Sequence, residues 1–129
     1  MIVKHFKLSQ PEKDRLIRIK AKTGIQNWNV LYRWALCWSL AESSIPGGID
    51  PLSDSNVEMD WSTFAGEYSE IYEAIIRQRC VNDGLGDDEK TLAKYFRLHL
   101  SRGINHYSTR DVLKNCSDLL KSALPKEEA

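Results

Sequence analysis

LSQPEKDRLIRIKAKTGIQNWNVLYRWALCWSLAE, residues 8–42, holds a charged basic segment, a glycine stop and an almost wholly apolar segment, and the order of these pieces decides the fold. Ser9 stands three residues before Glu12, with Pro11 between them. That is the spacing of a capping box. The Ser9 hydroxyl accepts from the Glu12 N–H, the Glu12 carboxylate accepts from the Ser9 N–H, and Pro11 falls in the first turn, where a missing donor costs little. Beyond this start Leu16, Ile19 and Thr23 share one helix face, while Arg15, Arg18 and Lys22 form a stripe on another. Lys13 and Lys20 flank the apolar side, where their stems lie along it with the ammonium groups in water. Gly24 suits the left-handed residue that closes a helix. Asn27 or Asn29 caps the next helix, which runs from Trp28 to Ala41 with only Asn29, Arg33 and Ser39 clearly polar.

Upstream, Ile2, Phe6 and Leu8 share one face of an alternating stretch, with Lys4 the exception, and Val3, His5 and Lys7 point to the other. Strand, basic helix, sharp stop and buried helix is the order of a ribbon-helix-helix module. A helix apolar on nearly every side must be surrounded. A lone strand needs a partner. Both requirements predict contacts between copies of the chain, with the strand pairing against its own copy.

Downstream, Pro46-Gly47-Gly48 ends this unit and residues 49–60 read as a polar surface loop, with room for a short extended piece over 57–64. Helical patterns follow over 69–82, 89–102 and 109–123. The second of these places Leu92, Phe96, His99, Leu100 and Gly103 on one side; the third aligns Val112, Leu113, Cys116, Leu119, Leu120 and Ala123. Leu124-Pro125 stops the last helix, and the tail over 126–129 is expected to fray. The expected fold is mainly α: a short N-terminal strand followed by helices, with a ribbon-helix-helix-like core and additional C-terminal helices. It forms one domain over 1–129, divided into a strand-helix-helix unit (1–45), a loop (46–68) and a helical remainder (69–124).

A chain of 129 residues with 42% apolar and 28% charged residues builds a core without staples. No apolar run approaches the length of a membrane span, and the N-terminus lacks the pattern of a signal peptide. Cys37, Cys80 and Cys116 lie far apart and are odd in number, as expected in a reducing cytoplasm. The net charge of zero hides segregation. Residues 1–40 carry eight basic and two acidic residues (+6), residues 41–90 three and twelve (−9), and residues 91–129 seven and four (+3). A basic front suits a polyanion, because potential acts over a Debye length of about 8–10 Å rather than over the whole sum.

Catalysis has no specific signal. The histidines His5, His99 and His106 and the scattered cysteines lack metal-ligand spacing, and no nucleotide loop or hydrolase motif occurs. His99 on an apolar face reads as a satisfied core histidine, and Glu70 with Glu73 as a solvated pair. The chain is therefore expected to be non-enzymatic and to need no cofactor or metal. The candidate DNA contacts are Lys4, Lys7, Lys13, Arg15, Arg18, Lys20 and Lys22, with the helix start at Asn27 and Asn29 offering free N–H groups to a phosphate. The bland alternative is a solvated helix face. The outward set Val3, His5 and Lys7 is too poor in polar groups to read bases, so contact with backbone or shape is expected.

Residues 8–42 resemble the opening of the DndE family, components of bacterial DNA phosphorothioation (sulfur modification). The agreement continues through Phe64-Ala65-Gly66-Glu67 and His99-Leu100-Ser101-Arg102-Gly103-Ile104, covering about the first hundred residues, with Thr23-Gly24, Asn29, Arg33 and His-x-x-Arg-Gly as its most specific matches. The second helix is richer in aromatics than the family pattern, and the agreement weakens after Tyr107. The resemblance implies a homo-oligomer, expected to be a tetramer, that binds duplex DNA at nicked sites through surface lysines. It also implies partners: a cysteine desulfurase, an ATP-pyrophosphatase-like protein and an SMC-like ATPase. Three rivals remain open: a ribbon-helix-helix repressor or antitoxin, a protein scaffold acting through the acidic middle without touching DNA, and a metal-dependent enzyme built on His99 and His106.

Overall fold

A computed structural model describes residues 2–48 and 53–124. The chain begins with strand β1 (His5–Lys7) and helix α1 (Gln10–Thr23), followed by α2 (Trp28–Ala41). After the turn come strand β2 (Glu58–Asp60), the short α3 (Trp61–Ala65), a single 3-10 turn (Gly66–Tyr68), α4 (Ser69–Asn82), α5 (Glu89–Ser108) and α6 (Cys116–Ser122). None of the described helices is long and apolar enough to cross a membrane.

The capping box is present as expected: the Glu12 N–H donates to Ser9 Oγ at 3.2 Å and the Ser9 N–H to Glu12 Oε1 at 2.8 Å. Gly24 closes α1 at φ 74°, where a side chain would be strained, and its N–H donates to the Lys20 carbonyl. Leu16, Ile19 and Thr23 are buried, and so are Ile2, Phe6 and Leu8.

The strand departs from expectation. β1 pairs antiparallel with β2 of the same chain, with His5 opposite Asp60, Phe6 opposite Met59 and Lys7 opposite Glu58. Leu8 and Ser55 extend the pairing through Leu8 N–H to Val57 O and Ser55 N–H to Leu8 O. The strand has a partner without a second copy, so it supplies no argument for an oligomer. The same pairing corrects the reading of 46–68 as a loop, since β2, α3 and the 3-10 turn all lie in its second half.

Phe6 is the hub of the core. Its ring meets Phe96 of α5 edge-on at 5.1 Å and 80°, Phe64 of α3 at 5.9 Å and 82°, and Tyr32 of α2 at 5.7 Å. Four elements thus converge on one aromatic cluster, in the edge-to-face arrangement that ring quadrupoles favour. α5 is longer than its pattern predicts, continuing through Gly103 to Ser108. A Cβ built on Gly103 would approach the Ala35 carbonyl oxygen to 1.9 Å, so α2 and α5 cross there backbone to backbone. That contact lets one small chain enclose much of the apolar helix: Leu31, Tyr32, Ala35, Leu36 and Ser39 are buried internally.

The last helix is shorter than expected. Asp111 adopts φ 69° and Asn115 caps a new start with its own capping box, so only Cys116–Ser122 is helical. Leu113 and Leu119 are buried, whereas Cys116 and Leu120 face solvent. The expected frayed tail lies outside the described residues.

Candidate nucleic-acid interface

α1 buries Glu12, Leu16, Ile19 and Thr23, which sends its cations to two different flanks. Arg15, Arg18 and Lys22 lie on one, Lys13 and Lys20 on the other, with Asp14 and Ala21 exposed between them. Arg18 is exposed; Arg15, Lys20 and Lys22 are half-buried along their stems. Lys13 is tied by its ammonium to Asn56 Oδ1 at 2.7 Å. The α1 cations therefore form the divided surface that their helical spacing predicts.

Lys4, just before β1, and Lys7, at its end, are exposed. Lys7 lies opposite Glu58 and His5 opposite Asp60, and His5 Nε2 is 3.5 Å from the Glu58 carboxylate. These acids mute the basic character of the strand, a consequence of the pairing that no local pattern announces. Asn27 occupies the position that starts α2 but makes no side-chain capping bond. Asn29 instead donates its Nδ2 to the Thr63 carbonyl at 3.2 Å. Of the two asparagines only Asn27 leaves its side chain outside the framework.

The residues that carried the family resemblance turn out to be framework. Arg33 donates to the Phe64 carbonyl at 2.6 Å and, with Asn29, to that of Thr63, so two α2 side chains hold the last carbonyls of α3. Arg102 donates through Nε to Ser39 Oγ and through Nη2 to the Ser39 carbonyl, both at 2.7 Å, and through Nη1 to Ser44 O and Oγ at 2.9 Å. Arg79 adds bonds to the carbonyls of Leu40 at 2.7 Å and Ser44 at 2.6 Å, and pairs with Asp83 at 2.8 Å. α2 has no basic residue in its last turn; two guanidiniums from other helices take up its terminal carbonyls.

His99 is a core histidine, as its pattern predicts. It is 1% exposed, and its Nδ1 is 2.9 Å from Ser39 Oγ. That hydroxyl also accepts from Arg102 Nε, and the direction of its bond with Nδ1 follows the imidazole tautomer. Burial pushes the His99 pKa down to about 4, helped by the nearby charges of Arg102 and Arg79. His106 stacks on Trp38 at 3.7 Å and 6°, and burial lowers its pKa too. Among the described residues, no three His, Cys, Asp or Glu side chains cluster as a metal ion would require.

Sequence reading passed over the polar face of α5. Leu98, Ser101, Arg102 and Asn105 follow helical spacing and line a cleft of about 520 Å³, with Ser9, Pro11, Glu12 and Arg15 on one wall and Pro46 and Gly47 on the other. Arg97, one turn earlier, pairs with the buried Glu12 at 2.7 Å and 3.3 Å. Helical spacing could have put Ser101 and Asn105 on one face, but only the packing of α1 against α5 shows Arg15 beside them.

A second, apolar face is left at the surface. Val30, Arg33, Trp34, Cys37 and Tyr72 line a shallow groove between α2 and α4, and Ile71 (55% exposed) and Ile75 (44% exposed) lie at the surface of α4. Other elements bury the Leu31, Tyr32, Ala35, Leu36 and Ser39 side of α2, while Trp38 and Ala41 line a further cleft with Tyr107 and Leu124.

The family model described as DNA sulphur modification protein DndE matches residues 5–115. Among solved structures, DndE from Escherichia coli B7A, described as involved in DNA phosphorothioation modification, is 24% identical, superposes with a TM-score of 0.66, and is matched over 81% of this chain and 97% of its own. A DndE G21/24K mutant, described as involved in DNA phosphorothioation, is 20% identical with a TM-score of 0.61, matched over 81% and 98%. At these identities the structural likeness establishes the fold. A comparison with curated proteins finds no match.

Proposed function

Because the chain belongs to the DndE family of DNA sulphur modification proteins, we propose that it is a non-enzymatic DNA-binding subunit of the phosphorothioation machinery. It grips duplex backbone, with a preference for nicked sites, as a cytoplasmic homo-oligomer. The observation that carries this reading is the α1 flank bearing Arg15, Arg18 and Lys22, whose helix satisfies its core-facing side and leaves these cations at the surface. Lys4, Lys7, Lys13 and Lys20 would add phosphate contacts at its margins, and the start of α2 at Asn27 a further anchor. Phosphate neutralisation releases condensed counterions and carries no base information, which suits a protein that hands any backbone to modifying partners. Those partners would be a cysteine desulfurase, an ATP-pyrophosphatase-like protein and an SMC-like ATPase. The strip between α2 and α4 would join subunits into a tetramer.

Gel-shift titration at several salt concentrations tests the reading. Reversing Arg18 and Lys22 together to Glu is expected to weaken binding to unrelated sequences alike and to flatten the dependence of log affinity on log salt by about 2, one unit for each lost phosphate contact. Wild-type protein that retains no duplex at low salt would refute it.

A further inference from the structure

The cleft between α1, α5 and the Pro46–Gly47 turn combines three features. The first is charge without a matching carboxylate. Arg102 bonds only to neutral oxygens, those of Ser39 and Ser44, so its charge is held in place but not cancelled by a direct ion pair. Arg15 adds a second guanidinium from the α1 wall. Glu12 also lines the cleft, but its carboxylate accepts from Arg97 and from the Ser9 N–H, so its charge is directed inward. Glu42 and Asp83 temper the Arg102 charge from outside the lining.

The second feature is donors. Ser101 and Asn105 are one helical turn apart on the α5 floor and present a hydroxyl and a side-chain amide to the same space. Of the five N–H groups on Arg102, one on Nη2 remains after its bonds to Ser39 and Ser44. The third is rigidity. Ser44 is clamped by Arg79 as well as by Arg102, which fixes the start of the turn that forms the outer wall.

We infer that this cleft is an oxyanion site that takes a terminal phosphate monoester at a DNA strand end. The inference rests on the DNA-binding reading above and adds to it the group that is recognised. A terminal phosphate offers three free oxygens and a charge of about −1.5 to −2 near neutral pH. An internal diester offers two oxygens and one charge. It is also tethered on both sides, so it meets a concave site only if the strand bends on both flanks. A cleft with one guanidinium on its α1 wall and another on its α5 floor suits the first group. The basic flank of α1 continues from Arg15 to Arg18 and Lys22, so the duplex leading to that end has cations to follow.

Fluorescence anisotropy with duplexes that differ only at the nick tests this: one with a 5′-phosphate, one with a 3′-phosphate, one with hydroxyls on both sides, and an intact control. The phosphate-bearing nicks are expected to bind about tenfold more tightly than the hydroxyl nick, the scale of one charge-assisted contact. Arg15→Gln and Asn105→Ala should each bring that ratio below about twofold, and Asn105→Ala should leave binding to the intact duplex unchanged. Unchanged thermal unfolding confirms that both variants fold. Equal affinity for all nicks, or a preference that survives in both variants, overturns the inference while DNA binding stands. Failure to retain any duplex overturns the DNA-binding reading itself. Inorganic phosphate, titrated against matched chloride and followed at the Ser101 and Asn105 amides, reads the cleft directly. Shifts there without discrimination between strand ends would give the cleft to free phosphate and overturn the assignment to DNA.

Discussion

Gly103 shows how much one residue settles. Alanine is the better helix former by about 1 kcal/mol, so propensity alone favours Gly103→Ala. Its methyl, however, would meet the Ala35 backbone at 1.9–2.7 Å, and backbone in mid-helix cannot rotate away as a side chain can. Forcing two packed helices apart outweighs the propensity gain, and the net loss is expected to be about 2 kcal/mol or more. A urea melt should show a lower midpoint with the same slope. The glycine in His-x-x-Arg-Gly was readable as a family match; its job as a crossing point was not, because Ala35 lies far away in sequence. Arg33, Asn29 and Arg102 teach the same lesson. Each is a polar residue in a family motif that holds backbone carbonyls of another element, and of the three only Arg102 also lines the cleft beside Arg15.

At the scale of elements, sequence pattern performed well wherever the interactions are local. α1 begins at its capping box and ends at its glycine, and α4 spans the residues its pattern indicates. It performed less well where a distant partner decides. β2 is three residues long with an unremarkable composition, and it exists because β1 needs hydrogen bonds. α6 loses its first turns to the left-handed Asp111, which periodicity does not report. The apolar strip between α2 and α4 carries a prediction of its own. Changing Ile71 and Ile75 together to Lys should lower the solution mass of the oligomer toward that of the monomer while helical circular dichroism stays the same. A wild-type chain that is already monomeric by light scattering would remove the strip from the oligomer interface.

For the molecule as a whole, the meeting of α2, α4 and α5 at Ser39 and Ser44 links protonation to stability. Folded His99 is held at about 4 against an ordinary 6.5, chiefly by burial, with Arg102 and Arg79 next. Between those values the unfolded chain binds a proton that the folded chain refuses. Stability is therefore complete above pH 6.5 and declines as pH falls toward about 4, by up to about 3 kcal/mol from this residue. His106, lowered by burial, acts in the same direction. Denaturant midpoints measured across this range should fall with pH, and His99→Asn, which keeps a hydrogen-bonding group beside Ser39 but cannot take up the proton, should flatten the decline.

The order of elements, the caps of α1, the apolar faces of its helices and the basic front were all set by residues within a few positions of one another, where backbone periodicity and capping chemistry act. The family could be named from the same stretch. Only the tertiary structure decided that β1 pairs within its own chain, that α3 and α5 pack against α2, and that Lys13 is tied to Asn56. It alone set Arg15 across a cleft from Arg102 and Asn105. Those outcomes depend on which surfaces meet after folding, and residues about 90 positions apart have no local signal by which to announce their contact.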